Sequence, residues 1–164
     1  MYVRASVGQQ VRNFEAGFTE PWLLDTPTSV GADLFYVTRL YTYYTETRKG
    51  GSGRLGRRLP WMKDVEGFTS YRLERINIEV EDSTQVSQYI REQIGEKLKS
   101  TFSLSFIRNT RNHYMVPTAG SYTSLTNEFC GGILGGEVHY RRHTIENRWY
   151  HQLFSKFSLM HRIK

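Results

Sequence analysis

The segment from residue 12 to residue 36 alternates between apolar and polar side chains, and this pattern constrains the fold more than any other. It predicts two strands joined by a turn that is bounded by Pro21 and Pro27. Glu15 lies in the middle of the first strand, and Asp33 lies in the middle of the second. A buried charge needs a partner or water, so these carboxylates favour a water-filled barrel lumen over a dry core.

The composition permits a membrane barrel as well as a water-soluble sheet protein. The 164 residues are enough for one domain, 38% of them are hydrophobic and 14% are aromatic. No window approaches the ~20 apolar residues that a membrane-spanning helix needs. Spanning strands need only ~9–11 residues, about half of them polar, so the low overall hydropathy does not exclude a membrane protein.

The charge and the cysteine content leave two classes of partner open. The net charge of +6 is explained by solvated or paired cations, or by binding to lipid headgroups, lipopolysaccharide phosphates or nucleic acid. A soluble basic β-barrel that binds anionic polymers is therefore one alternative. The single Cys130 excludes an intramolecular disulfide and is predicted to be a small packing residue.

Alternating runs continue along the chain and predict an antiparallel all-β meander of about eight or nine strands in a single domain, residues 1–164. The strands of ten or more residues exceed the usual length in soluble sheets and match a transmembrane β-barrel. The period changes once, where Val86, Ile90, Ile94 and Leu98 recur every four residues. This spacing predicts a short amphipathic helix from Ser83 to Leu98 inside a long loop, with an irregular loop as the alternative.

The strand alternation assigns side chains to two solvents. The predicted lipid-facing residues are Phe14, Ala16, Phe18, Val30, Leu34, Phe102, Leu104 and Phe106. The predicted lumen-facing residues are Glu15, Asp33, Arg54, Arg72, Glu74, Glu128 and Arg148. Trp22, Tyr43 and Trp149 are predicted to lie near strand ends as interfacial aromatics. Asn127, His143 and Asn147 fall on the lipid-facing parity, which requires either an interfacial position or a different local register.

No residues are predicted to be catalytic, and neither a cofactor nor a metal is predicted. His139, His143 and His151 are close in sequence, but their spacing on a strand only places them on one face. The glycine-rich run from Gly50 to Gly56 lacks the Lys-Ser/Thr pair and the helix of a phosphate loop, so strand glycines explain it better.

Four segments resemble, in order, the barrel of the BamA family of outer-membrane protein assembly factors. They are Phe-Thr-Glu-Pro-Trp-Leu from residue 18, continuing to residues 29–36; the run at 50–57; the tract at 108–121; and Glu-Phe-Cys-Gly-Gly from residue 128, leading to Arg-Trp-Tyr at 148–150. The resemblance implies a β-barrel in the bacterial outer membrane that assists the folding and insertion of outer-membrane proteins. It also implies membrane lipids, lipopolysaccharide, client barrel proteins and assembly-complex lipoproteins as partners, and no nucleic acid.

The chain departs from the family pattern in several places. The matching begins near the third strand of the family barrel, and no POTRA domains, gate strands or Val-Arg-Gly-Phe motif are found. No signal peptide precedes the first strand, which leads us to expect a mature, recombinant or excised piece. Asn112 stands where the family usually has Asp.

These departures keep a second hypothesis open, in which the chain is a truncated or engineered small barrel scaffold without insertase activity. Two unpaired strand edges would be costly in hydrocarbon, so we expect the sheet to close, to be completed by further strands, or to form a homo-oligomer through its edges.

Overall fold

The computed structural model describes residues 1–80, 87–154 and 157–164. They form one antiparallel sheet of nine strands, in which each strand pairs with the next along the chain. This confirms the predicted all-β meander. The strands are β1 (Tyr2–Val7), β2 (Val11–Glu20), β3 (Thr28–Leu40), β4 (Tyr44–Arg58), β5 (Val65–Val80), β6 (Gly95–Asn109), β7 (Gly120–Cys130), β8 (Tyr140–Phe154) and β9 (Phe157–Ile163).

The connections alternate between the two ends of the sheet. One end, here called the Gly131 end, carries the turns after β1, β3, β5 and β7. The other, the Pro21 end, carries the turns after β2, β4 and β6, and β8 ends there. The sheet is not closed, because β1 pairs only with β2 and β9 pairs only with β8 within the described part of the chain.

The predicted helix is shorter than its sequence pattern indicates. Within the predicted span, the described residues form a helix only at Gln88–Arg91, and β6 begins at Gly95, so the prediction is wrong for residues 95–98. Gly95 has a positive φ of 97°, which ends the turn and allows the chain to enter the strand. Pairing of residues 95–98 with β5 outweighs their four-residue periodicity. The beginning of the predicted helix, residues 83–86, lies outside the described residues. No helix in the described ranges has the length and apolar character needed to cross a membrane.

The connection between β6 and β7 is held together by Asn112. Its side-chain oxygen accepts hydrogen bonds from the backbone N–H groups of Thr118 (3.0 Å) and Ala119 (3.1 Å), and its amide nitrogen donates to Thr118 Oγ1 at 2.7 Å. An Asp carboxylate can accept the same two backbone bonds, while the Thr118 hydroxyl donates instead of accepting. The departure from Asp at this position therefore preserves the loop geometry.

Burial in this sheet is the reverse of what a soluble protein shows. Among the described residues, the buried hydrophobic side chains are Val65, Ile78, Cys130 and Tyr150, while Glu46 and Glu74 are buried carboxylates. Leu34 is 67% exposed and Phe18 is 51% exposed. A single layer of strands with its large apolar side chains outside has no dry core of its own, so the surroundings must supply an apolar phase.

Side chains two strands apart meet on the face of the sheet that carries Asp33 and Glu74. The Tyr2 hydroxyl donates to Asp33 across β2 at 2.9 Å, and the Arg72 guanidinium lies 5.1 Å from the centre of the Phe35 ring across β4. Lys99 similarly lies 5.5 Å from the Tyr140 ring across β7. Alternate strands in a flat sheet are roughly 9.6 Å apart, so these contacts indicate that this face is the concave one.

Glycines lie beneath two of these crossing side chains. A Cβ added to Gly17 would meet the Tyr2 ring and Asp33 Oδ1, each at 2.5 Å. At Gly50, between Phe35 and Glu74, it would meet the Leu73 carbonyl oxygen at 2.3 Å. At Gly53, on the opposite face of the same strand, it would meet nothing within 4 Å. Gly50 therefore allows a close approach of backbones that any side chain prevents.

We predict that Gly50→Ala lowers the free energy of unfolding by about 1–3 kcal/mol, because rigid backbone atoms must move to admit the methyl group. The matched variant Gly53→Ala, in the same strand, is expected to change it by less than about 0.5 kcal/mol. Urea unfolding of both variants in lipid vesicles measures the difference. Equal effects of the two substitutions would contradict the assignment of the crowded face.

We also predict that Asn112→Ala destabilises the protein by about 1–2 kcal/mol, because the two backbone donors of Thr118 and Ala119 lose their acceptor. Asn112→Asp should lose less than half as much, since the acceptor remains. The control is Asn77→Ala, which removes one exposed hydrogen bond to Glu79 and should cost less than about 0.5 kcal/mol. An Asp variant as unstable as the Ala variant would show that the amide donor, rather than the acceptor, holds the loop.

Candidate membrane-facing surface and lumen lining

The strand register places all the predicted lipid-facing residues on one face, here called the apolar face. Phe14 is aligned with Tyr36, Leu34 with Gly51, and Phe102 with Tyr71, so β2 to β6 form one surface. Phe14, Phe18, Leu34 and Phe106 are exposed there, and Leu104 is partly exposed. The predicted lumen-facing residues lie on the other face, which is concave and is here called the charged face.

The apolar residues form a band that is tilted relative to the strand register. Ala16, at the centre of the apolar run in β2, is aligned through the intervening strands with Ser100 in β6. The centre of the apolar run in β6 is Leu104, four residues further along. The band therefore shifts by one residue, about 3.3 Å, for each of the four steps of ~4.8 Å across the sheet from β2 to β6. This shift corresponds to a strand tilt of about 35°. Membrane-spanning barrels have strand tilts of about 35–45°.

The predicted interfacial aromatics lie at both ends of the sheet. Trp22 follows β2 at the Pro21 end and is 61% exposed, while Tyr43 precedes β4 at the Gly131 end and is 52% exposed. Trp149 in β8 is aligned with Ser121 near the start of β7, at the Pro21 end, and its ring lies 5.6 Å from that of His161. All three residues therefore lie near strand ends, and their position at a membrane interface stays a prediction.

The polar residues on the apolar face bond to their neighbours on adjacent strands. His143 Nδ1 and Asn127 Oδ1 are 2.7 Å apart, and the Thr123 hydroxyl donates to Asn147 Oδ1 at 3.2 Å. The register is therefore regular here, and these four side chains bond in pairs across β7 and β8. Such pairing lowers the cost of placing polar groups in an apolar phase.

Asp33 is the centre of a cluster that joins β1, β3 and β4 on the charged face. It accepts hydrogen bonds from the Tyr2 hydroxyl, from the Arg54 guanidinium at 3.1 Å and from the Ser52 hydroxyl at 3.4 Å. Arg54 also reaches Thr19 of β2. The structure thus brings together two predicted lumen residues, Asp33 and Arg54, and adds Tyr2.

A second cluster joins β5 to β8 around Tyr140. The Lys99 ammonium group lies 3.1 Å from Glu74, whose side chain is 4% exposed, and it faces the Tyr140 ring. The Tyr140 hydroxyl donates to Glu128, and the Arg142 guanidinium lies 5.3 Å from the same ring. Lys99 neutralises a carboxylate that would otherwise be buried without a partner.

A third cluster lies near the Pro21 end of β8. Glu146 accepts from Arg148 at 2.6 Å and from Arg162 of β9 at 2.7 Å. The Arg148 and Arg111 guanidinium groups each lie within about 5 Å of the Tyr122 ring. Of the remaining predicted lumen residues, Glu15 accepts a hydrogen bond from the Asn13 amide, and the Arg72 guanidinium lies over the Phe35 ring.

The described ranges contain no group of three or more His, Cys, Asp or Glu residues that could hold a metal ion. The arrangement is one of paired charges, tyrosines and glycines that bind neighbouring strands together. It supplies a polar wall rather than a reactive centre.

Comparison with solved structures supports the same architecture. The chain is similar to the crystal structure of BamA from Haemophilus ducreyi lacking POTRA domains 1–3, with a TM-score of 0.70 and 19% sequence identity. The similarity covers 94% of this chain and 32% of that one, and it establishes the fold alone.

Two curated relatives extend the comparison to sequence. The outer membrane protein assembly factor BamA of Nitratidesulfovibrio vulgaris is 29% identical over 142 residues, which are 86% of this chain and 17% of the relative. A SAM50-like protein of Schizosaccharomyces pombe is 37% identical over 60 residues, which are 34% of this chain and 13% of the relative. The chain therefore spans less than a fifth of the length of either relative.

A family model, the Omp85 superfamily domain, matches residues 1–164. The resemblance to the BamA family is confirmed, and so is the prediction that the chain is not an enzyme, because the matched family is one of assembly factors. Its members are located in the outer membrane of bacteria or of mitochondria. The chain belongs to the Omp85 superfamily and forms part of its β-barrel domain.

Proposed function

We propose that this chain is the membrane-embedded barrel segment of a bacterial outer-membrane assembly factor. The observation that carries the proposal is the two-faced sheet, because its exposed apolar band and its concave, paired charges suit lipid outside and water inside. The bacterial relative is matched over 86% of the chain and the yeast relative over 34%, which favours the bacterial outer membrane.

The protein that contains this segment assists the folding and insertion of outer-membrane β-barrel proteins. Strand addition to an open sheet edge and local disturbance of the bilayer are the physical means, without a nucleotide or a covalent step. Its partners are membrane lipids, lipopolysaccharide, client barrel proteins and the lipoproteins of the assembly complex. The free edges of β1 and β9 need further strands or a second copy of the sheet, since open edges in hydrocarbon cost several kcal/mol per unpaired group.

A second candidate function is a scaffold role without insertase activity. It is favoured by the architecture of the segment, because the charge clusters and glycines on its concave face brace neighbouring strands against one another. Under this hypothesis the segment supports the barrel wall, while the insertion step belongs to other parts of the protein.

We predict that Leu34→Lys, on the apolar face of β3, lowers the stability of the protein in lipid vesicles by about 2–4 kcal/mol, because it places an ammonium group near the bilayer midplane. Val37→Lys, on the charged face of the same strand, is the matched control and should cost less than about 1 kcal/mol. Urea unfolding of vesicle-bound protein measures both. A larger loss for Val37→Lys would reverse the proposed assignment of the faces.

A liposome insertion assay tests the two candidate functions. The folding rate of a small client barrel is measured by electrophoretic mobility in vesicles that carry this chain, in vesicles that carry an unrelated barrel, and in empty vesicles. We expect the chain to accelerate client folding above both controls if the segment contributes to insertion. A rate equal to that with the unrelated barrel would reject this contribution and support the scaffold role.

A further inference from the structure

A cavity of about 710 Å³ opens on the apolar face beneath the connection between β7 and β8. The sheet contributes Phe102 and Phe129 to its lining, and the connection contributes Ile133 and Leu134. Its volume lies in the range of small-molecule sites, about 300–1,000 Å³. The lining is apolar apart from a few polar groups, which is the composition expected of a site for a lipid tail.

The connection that covers this cavity is fixed to β6 by its own backbone. Gly131 N–H donates to the Ser100 carbonyl at 2.9 Å, and Glu137 N–H donates to the Leu98 carbonyl at 2.8 Å. The Glu137 carboxylate in turn accepts from Leu98 N–H at 3.0 Å. These bonds hold the connection against the strand, so the cavity exists before any ligand enters and little ordering is needed for binding.

Two donors at the cavity suit an anionic group. His139 Nδ1 accepts a hydrogen bond from Gly132 N–H at 2.9 Å, so Nε2 carries the proton of the neutral ring and is a donor. Arg141 lies two residues further and also lines the cavity. Within the described ranges Arg141 forms no ion pair, in contrast to Arg54, Arg148 and other arginines of the charged face.

The depth of Arg141 matches the edge of the hydrocarbon layer. Arg141 is aligned with Phe129, and the tilted apolar band continues to Ile145 in β8, four residues from Arg141. At a tilt of about 35° this separation corresponds to about 11 Å along the bilayer normal. The apolar band of a membrane barrel is about 25 Å tall, so the guanidinium group lies near its boundary, where lipid phosphates are found.

We propose that this cavity binds an acyl chain of an anionic glycerophospholipid, whose phosphate contacts Arg141 and the Nε2–H group of His139. The inference rests on the proposed placement of the apolar face in lipid. One guanidinium and one imidazole N–H match a single phosphate diester. Lipid A, with two phosphates and several acyl chains, needs more cations and more room than this site provides.

The experiment measures lipid retained by the 164-residue chain. The refolded chain is exposed in detergent micelles to dioleoylphosphatidylglycerol, to dioleoylglycerol as the phosphate-free probe, or to lipid A, and bound lipid is counted by native mass spectrometry after detergent exchange. We expect retention of dioleoylphosphatidylglycerol above the other two. Equal retention of dioleoylglycerol would overturn the role of the phosphate, and preference for lipid A would overturn the proposed occupant.

Three variants separate the parts of the site. Arg141→Gln should weaken retention about tenfold, which corresponds to about 1.4 kcal/mol, because it removes a charge-assisted hydrogen bond to the phosphate. Leu134→Trp, which fills the cavity from the connection, should also reduce retention. The matched control Arg12→Gln removes an arginine from the apolar-face parity of β2 at the same end of the sheet and should change nothing.

Equal retention by Arg141→Gln and Arg12→Gln would overturn the proposal, provided that circular dichroism shows the same strand content in both variants. Incorporation of the chain into vesicles is measured separately. A chain that enters vesicles but shows no preference for dioleoylphosphatidylglycerol rejects the lipid site alone. A chain that does not enter vesicles rejects the membrane placement on which the site depends.

Discussion

The backbone hydrogen bonds between neighbouring strands hold this protein together, because almost no apolar side chain of the described residues is buried within it. In hydrocarbon an unpaired backbone group costs several kcal/mol, so a continuous ladder is more valuable there than in water. The meander provides that ladder for the seven inner strands, which are paired on both sides. The same constraint makes the outer edges of β1 and β9 the places where further strands must be added.

The two faces of the sheet carry different kinds of side chain. On the convex face, exposed apolar residues such as Phe18 and Leu34 need an oily surrounding, and the tilt of their band agrees with a spanning strand. On the concave face, charges from alternate strands converge above glycines that leave room for them. Lys99 with Glu74 and Arg54 with Asp33 neutralise one another on this face, so these carboxylates are paired.

Period-two alternation predicted the strands and correctly grouped the side chains that share a face, while the solvent that each face meets stays a prediction. The sequence-based prediction failed at residues 95–98, where Ile94 and Leu98 keep a four-residue spacing although the chain is already in β6. This error hid Lys99, whose alternation with Lys97 and Thr101 was the available signal. The contact of Tyr2 with Asp33 could not be predicted, because it crosses an intervening strand and depends on the absence of a side chain at Gly17.

The central claim is that alternate side chains along each strand meet water and lipid, and a spin-label scan of β3 tests it most directly. Single cysteines at positions 29–37, in a Cys130→Ser background, carry nitroxide labels in lipid vesicles, and their collision rates with oxygen and with a water-soluble nickel chelate are compared. The account predicts a period of two, with positions 30, 32, 34 and 36 accessible to oxygen and positions 31, 33, 35 and 37 accessible to nickel. A profile without this alternation, or with the two sets exchanged, would contradict it.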